Sequence, residues 1–152
     1  MTAPNVDSLE YVCFEEVDAL RLPLVDRFYK AQNAKVNCGK KERTFTLSLK
    51  SYGIIAAVRM IEFPSKNYWL RNMMVHRQLR GTGVGRQLME GVRAVISHQD
   101  IYCYSLIEVT AFYQKLGFEF VGEEQSSADI WTHFWRYKVR GRDWILMRSS
   151  VL

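Results

Sequence analysis

The apolar positions of this 152-residue chain change period several times, and each change marks an element. Tyr11, Val12, Cys13 and Phe14 between Glu10 and Glu15 read as a first strand. Pro23 then suits the first turn of a helix from Leu22 to Ala34, with Leu20, Leu24 and Phe28 on its apolar face. The polar, basic stretch between Asn33 and Arg43 is a loop around Cys38-Gly39. Phe45, Leu47 and Leu49 alternate with Thr44, Thr46 and Ser48, the mark of a strand buried on one face. Ser51-Tyr52-Gly53 turns the chain into a more apolar strand, Ile54 to Phe63, stopped by Pro64, and Tyr68 to Val75 forms the next. Val84, Leu88, Val92, Val95 and Ile96 then recur at helical spacing as far as Ser97, and Ile101 to Leu106 returns to strand. Ala111 to Leu116 is a short helix ended by Gly117, and Glu119 to Glu123 a strand. Ser126-Ser127-Ala128-Asp129 caps a helix carrying Ile130, Trp131, Phe134, Trp135 and Lys138, and Trp144 to Met147 is the last strand. Strands on both sides of a helix make a βαβ unit, so the strands ending at Val75 and Ser105 should run parallel. The fold class is α/β.

Between the strand at Val75 and the helix at Val84 stands the most distinctive stretch, Met74-Val75-His76-Arg77-Gln78-Leu79-Arg80-Gly81-Thr82-Gly83-Val84-Gly85-Arg86. Its alternate glycines let the backbone turn sharply and approach a ligand without a Cβ in the way. A strand, a glycine loop and a helix start in succession aim free N–H groups and the positive end of a helix dipole at one point. That arrangement suits a phosphate or pyrophosphate. It is not a P-loop, because Arg86 stands five residues after Gly81 where that pattern needs Gly before Lys-Ser/Thr. It is not the dinucleotide fingerprint either, since Gly81-Thr82-Gly83 would need its third glycine at Arg86.

Composition narrows the setting. With 48% hydrophobic residues the chain can close one core, so residues 1–152 read as a single domain that needs neither disulfide nor metal. Cys13, Cys38 and Cys103 are odd in number and lie outside any C-x-x-C pattern. No uncharged apolar run approaches the roughly eighteen residues of a membrane span, and Met1 to Asp7 has no signal-peptide character, which leads to a cytoplasmic location and no membrane partner. The formal net charge of +5 serves an anionic cofactor as well as it serves nucleic acid, and argues for neither. The densest basic stretch, Arg136 to Arg142, reads as a solvated helix end before Gly141.

Arg80, Gly83 and Gly85 match the Arg/Gln-x-x-Gly-x-Gly/Ala signature, and Tyr113 followed four residues later by Gly117-Phe118 matches a second segment. Together and in this order they resemble the GNAT superfamily of acyl-CoA-dependent N-acetyltransferases. The resemblance implies a GNAT fold: a mixed, mainly antiparallel twisted sheet of about six to seven strands, helices on both faces, and a parallel pair splayed at the acetyl-CoA site. It implies that Met74, Val75, His76, Arg80, Gly81, Thr82, Gly83, Val84, Gly85 and Arg86 bind acetyl-CoA, the first two through a backbone N–H that holds the developing oxyanion. It also makes Tyr113 the general acid that returns a proton to the departing thiolate.

The implied activity is direct transfer of an acetyl group to a primary amine of a small molecule, amino acid or peptide. An alkylamine of pKa near 10 must lose a proton first, and the sequence departs from better-defined relatives here. Trp69 stands where some members carry a Glu base, and Leu106 stands where many carry a cofactor-binding Asn seven residues before the Tyr. Glu62, Glu108 and His76 are the nearest titratable groups, each better explained as a surface or structural residue. A non-catalytic acyl-CoA-binding or regulatory module is therefore the alternative. Trp131, Phe134, Trp135 and Tyr137 suit a core, the interface of a homodimer, or the wall of an acceptor pocket.

Overall fold

The structure is a computed structural model that describes residues 3–4, 12–36, 38–39 and 41–150. Seven strands form one open sheet: β1 (Val12–Glu16), β2 (Arg43–Leu49), β3 (Gly53–Glu62), β4 (Tyr68–Val75), β5 (Ile101–Leu106), β6 (Glu119–Phe120) and β7 (Trp144–Ser149), in the spatial order β1-β2-β3-β4-β5-β7-β6. Four helices connect them: α1 (Leu22–Ala31), α2 (Val84–Val95), α3 (Thr110–Lys115) and α4 (Ala128–Val139). β4 and β5 run parallel, and their ladder holds three pairs, Tyr68 with Ile101, Trp69 with Tyr102 and Leu70 with Cys103. The β1–β2, β2–β3, β5–β7 and β6–β7 pairs are antiparallel. The mixed α/β sheet with one parallel pair is as expected. Of the expected first strand, Glu10 and Tyr11 lie outside the described residues.

The chain divides into two compact units. The first holds the described residues up to Met60 together with Arg71–Val95; the second holds Ile61–Leu70 and the described residues from Ile96 on. In the first unit α1 and α2 cover opposite faces of the strands. Phe14 pairs with Leu47, which pairs with Ala56, and this face meets α2 at Gly91, where a Cβ would stand 2.4 Å from the Phe14 ring. Ala57 points the other way and packs with Val25, Phe28 and Tyr29 of α1.

This two-sided cover corrects the reading of β2 as half-buried. Thr44 and Thr46 are 1% and 0% exposed, as buried as Phe45 and Leu47 on the other face. Polarity alternates along β2, but both faces are covered. The face of α1 also differs from expectation. Leu22, Val25, Phe28 and Tyr29 are its buried residues, whereas Leu20 and Leu24 are exposed. Spacing of three and four from Leu22 keeps the first set on one stripe, and Leu20 lies in the preceding turn, Ala19–Arg21, before α1 begins. α1 ends at Ala31 and α2 at Val95, each shorter than the apolar pattern suggested; Val95 is exposed while Ile96 beyond it is buried.

The second unit is built around aromatic rings. Trp69, Tyr102, Ile130, Phe134 and Leu146 form its buried cluster, flanked by Phe63, Tyr104, Tyr137 and Trp144. Trp131 packs beside the cluster and stacks on Trp135, which is half exposed. α4 is tied to the start of β4 by Asp129, whose carboxylate accepts from the N–H of Ser65 at 2.8 Å. Ser127 is the N-cap position of α4 but forms no side-chain capping bond. The basic stretch at its end is a helix terminus as expected: Gly141 is left-handed at φ 92°, its N–H donating to the Lys138 carbonyl and that of Arg142 to the Tyr137 carbonyl. No described helix is long and apolar enough to cross a membrane.

Candidate functional site

The glycine stretch lies wholly in the first unit. β4 ends at Val75, a single 3-10 turn occupies Arg77–Leu79, and α2 starts at Val84. Gly81 and Gly83 have φ of 80° and 92°, a region that side-chain-bearing residues rarely enter. Within 4 Å of the place where a Cβ would stand on either there is no atom, so the loop presents bare backbone to open space. The Gln87 N–H donates to the Gly83 carbonyl at 3.1 Å as the first bond of α2, which leaves the N–H groups of the first turn without intrahelical carbonyls. Thr82 braces the loop from behind, its hydroxyl donating to the Leu79 carbonyl at 2.5 Å. Val84 and Gly85 are buried and fix the helix start against the unit's core. Such a loop fits a pyrophosphate: it has donors, a helix dipole and no side chain in the way.

Arg80 folds back along the end of β4. Its Nε donates to the Val75 carbonyl at 3.3 Å and its Nη2 lies 3.5 Å from Met74 Sδ. Met74, Val75 and Arg80 are thus brought together at the mouth of the loop. His76 has a different task. Its Nδ1 accepts from the Gln78 N–H at 3.2 Å, capping the 3-10 turn, and its Nε2 lies 3.0 Å from the Tyr52 hydroxyl. An Nδ1 that accepts carries no proton, so Nε2–H is the donor to Tyr52. Burial, with Arg77 and Arg80 nearby, lowers the imidazole's pKa below the usual histidine value. Both ring nitrogens are engaged in structure, which leaves His76 unsuited to be the base. Glu62 faces Lys66 at 3.8 Å on the surface, and Glu108 is exposed.

Sequence reasoning missed a feature inside β4. Asn72 sits at φ 53°, left-handed in mid-strand. Its carbonyl accepts from the Tyr29 hydroxyl at 2.6 Å and its side-chain Oδ1 from Arg59 Nη1 at 2.7 Å. Arg59 is only 6% exposed and its Nε donates to the Glu42 carboxylate at 2.5 Å. The available signals were an Asn, the residue besides Gly that best tolerates this region, and a lone Arg within the apolar run of β3.

Tyr113 belongs to the second unit. It lies on α3, half-buried, between Phe112 and Phe118 with ring centroids 5.2 and 5.6 Å away. Burial raises its pKa above the ordinary phenol value, so the hydroxyl is protonated throughout the neutral range. Trp69 stacks on Tyr104 at 4.8 Å and meets His133 at 4.5 Å, so β4 presents an aromatic ring and no carboxylate at this position. The Tyr104 hydroxyl lies 2.9 Å from His133 Nδ1. Among the described residues no group of three or more His, Cys, Asp or Glu is placed to hold a metal ion.

A family model for the acetyltransferase (GNAT) domain matches residues 17–139. The chain belongs to the GNAT acetyltransferase family. No curated protein sequence matches it. Solved structures share the fold at low identity. The ribosomal-protein-S18-alanine N-acetyltransferase of Escherichia coli is 17% identical with a TM-score of 0.62, over 92% of this chain and 94% of that one. Naa50 of Arabidopsis thaliana, in complex with the bisubstrate analogue CoA-Ac-MVNAL, is 19% identical with a TM-score of 0.63, over 92% and 99% of the two chains. The N-acetylglutamate synthase of Neisseria gonorrhoeae, complexed with coenzyme A and N-acetyl-glutamate, is 13% identical with a TM-score of 0.69; the match covers 93% of this GNAT chain but 35% of that longer one.

Proposed function

We propose that this GNAT protein is an acetyl-CoA-dependent N-acetyltransferase that acts on a primary amine of a small molecule, amino acid or peptide. The observation that carries the reading is the bare glycine loop at the start of α2, with Gly81 and Gly83 left-handed and open, in a chain of an acetyltransferase family. Met74, Val75, His76, Arg80, Gly81, Thr82, Gly83, Val84, Gly85 and Arg86 are the proposed acetyl-CoA residues, His76 through its backbone, since its ring is committed to Tyr52 and Gln78. In the reaction the amine lone pair bonds to the thioester carbonyl carbon and the C=O pair moves to oxygen. That pair then re-forms the carbonyl as the C–S bond breaks, and the thiolate takes a proton, from Tyr113 in this proposal. The alkylammonium gives one proton to solvent before attack, and the nitrogen gives up a second as the amide forms, which by way of solvent restores the Tyr113 hydroxyl. Family relatives solved with coenzyme A and with a peptide bisubstrate analogue support the donor and the acceptor class.

A second reading, a non-catalytic acyl-CoA-binding module, is favoured by one observation: Trp69 is 6% exposed inside an aromatic cluster and brings no base to β4. Calorimetric titration with acetyl-CoA, coenzyme A and dephospho-coenzyme A, beside turnover on a panel of amines and peptide N-termini, separates the two. Binding with turnover supports the enzyme. Binding without turnover on any amine supports the module, and no binding by the wild type overturns both.

A further inference from the structure

The basic stretch that follows α1 has no part in the reaction as derived so far. α1 ends in a Schellman motif: Asn33 stands at φ 61°, its N–H donates to the Lys30 carbonyl at 3.0 Å, and the Ala34 N–H donates to the Tyr29 carbonyl at 2.9 Å. The chain turns back there. Ala34 and Val36 pack against the cluster of Val25, Phe28 and Tyr29, and the Asp26 carboxylate accepts from the Cys38 N–H at 2.8 Å. Between the helix and the returning chain lies a cleft of about 500 Å³, lined by Asp26, Arg27, Lys30, Ala34, Lys35 and Val36. That is the size of a small-molecule site.

The charges of the cleft are unbalanced. Arg27, Lys30 and Lys35 stand against one carboxylate, and that carboxylate already accepts from a backbone N–H. Among the described residues none of the three cations is in an ion pair, whereas Arg21, Arg43 and Arg59 of the same unit each hold a glutamate. The negative end of the α1 dipole accounts for Lys30, which is in the last turn, but not for Arg27 a turn earlier or Lys35 on the returning chain. Cations converging on a concave surface raise the local potential, and a bound anion relieves it. The cleft also adjoins the proposed acetyl-CoA residues. Gln32 Oε1 accepts from the Arg77 N–H at 3.0 Å, and Met74 packs against the same cluster as Ala34 and Val36, all within the first unit.

We propose that this cleft holds the acidic part of the acceptor, so that the amine acetylated is one that also carries carboxylates, as an acidic peptide N-terminus or a dicarboxylic amino acid does. Arg27 offers a planar fork that matches a carboxylate with two parallel bonds, and Lys30 and Lys35 add ammonium donors on flexible stems. Ala34 and Val36 supply an apolar wall for the methylenes between the charges. The one carboxylate, Asp26, faces the Cys38 backbone, which leaves the cations to set the sign of the ligand.

The inference rests on the acetyl-CoA reading above. Its test is calorimetric binding, in the presence of coenzyme A, of three C-terminally amidated peptides, Ala-Glu-Glu, Ala-Gln-Gln and Ala-Lys-Lys, with free glutamate and glutamine beside them to separate a peptide from an amino acid. The wild type should bind the acidic member of either set about tenfold more tightly than the neutral one. The double variant Arg27→Gln with Lys30→Gln should close that gap, Lys35→Gln should narrow it, and Lys30→Glu should move the preference toward Ala-Lys-Lys, all with coenzyme A affinity within about twofold of wild type. The same ordering should appear in KM and not in kcat when turnover is followed. A wild type that binds none of the ligands or binds acidic and neutral ones equally, or a preference that survives the double variant, overturns the inference and leaves the cofactor site standing. Variants that lose affinity for coenzyme A but not for dephospho-coenzyme A assign the cations to the cofactor's phosphate and overturn it as well. Acidic ligands bound through the three cations without turnover support the cleft and overturn the transferase.

Discussion

The N–H of Phe118 donates to the Tyr113 carbonyl at 3.0 Å, and their rings meet edge to face with centroids 5.6 Å apart. Between them the Gly117 N–H donates to the Gln114 carbonyl, with Gly117 at φ 94°. This is a Schellman motif with its hydrophobic contact, so the Tyr-to-Gly-Phe spacing has a structural cause independent of any chemistry. The two roles of Tyr113 separate because the helix-ending bond uses its backbone and the proposed acid uses its hydroxyl. Tyr113→Phe keeps the bond and the ring contact. Its stability should stay within about 0.5 kcal/mol of wild type while turnover falls about a hundredfold and coenzyme A affinity holds. Gly117→Ala should do the reverse, losing about 1 kcal/mol of stability by denaturant unfolding through the left-handed backbone. A Tyr113→Phe enzyme with wild-type turnover removes the acid assignment.

Gly83 tests the loop without ambiguity of space. Nothing lies within 4 Å of a Cβ built there, so Gly83→Ala meets strain and no clash. The strain at φ 92° is on the order of 1 to 2 kcal/mol. Gly83→Glu adds a carboxylate where the pyrophosphate is proposed to bind. Calorimetry should show acetyl-CoA affinity lowered severalfold in the first variant and abolished in the second. Equal affinity in both would place the cofactor elsewhere.

Gly91 makes the opposite case. In a helix interior Gly→Ala ordinarily stabilises by about 0.5 to 1 kcal/mol. Here the added Cβ would stand 2.4 Å from Phe14 Cδ2 and 2.5 Å from Cε2, and Phe14 is itself stacked on Phe45 at 5.8 Å. The ring has to shift off Phe45 to admit the Cβ, so overpacking of about 1 to 3 kcal/mol outweighs the propensity gain. Gly91→Ala should unfold at lower denaturant than wild type, and the double variant Gly91→Ala with Phe14→Leu should recover part of the loss. A stabilised Gly91→Ala would mean that α2 rides higher on the strands.

What the sequence made legible was local. β4 and β5 were placed to the residue, because their apolar runs are bounded by Ser65-Lys66-Asn67, the glycine loop and Asp100. The loop's strand-to-helix context was legible for the same reason. Residues whose state depends on a distant partner were not. Thr44 and Thr46 look like solvent-facing positions until both faces of β2 are seen to be covered, and Leu24 looks like core until the stripe from Leu22 to Tyr29 is seen to turn away. The expected strand over Glu119–Glu123 has only two residues in the sheet; the Val121 N–H still donates to the β7 carbonyl of Leu146, and the chain enters a 3-10 turn at Glu123. The two hydrogen bonds to Asn72 come from residues 13 and 43 positions away, so no local pattern reveals them. Spacing shows what the backbone does nearby; who covers or holds a residue depends on the fold.

His76 carries the pH dependence. Its pKa is lowered in the folded state, by burial first and then by Arg77 and Arg80. A group whose folded pKa lies below its unfolded value, near 6.5 for histidine, favours the native state above 6.5. As pH falls below that value the unfolded chain takes up the proton first, and the contribution is lost through the folded pKa. Protonation also ends the Nδ1 cap on the Gln78 N–H, because a protonated nitrogen cannot accept. Stability followed by urea unfolding should therefore fall between pH 6.5 and pH 5 by more in the wild type than in His76→Asn. Asparagine can still cap the turn but does not titrate. Because the capped turn leads directly into Arg80 and Gly81, acetyl-CoA affinity should weaken over the same window in the wild type and stay flatter in His76→Asn. Parallel pH profiles for the two proteins would assign the titration to another group.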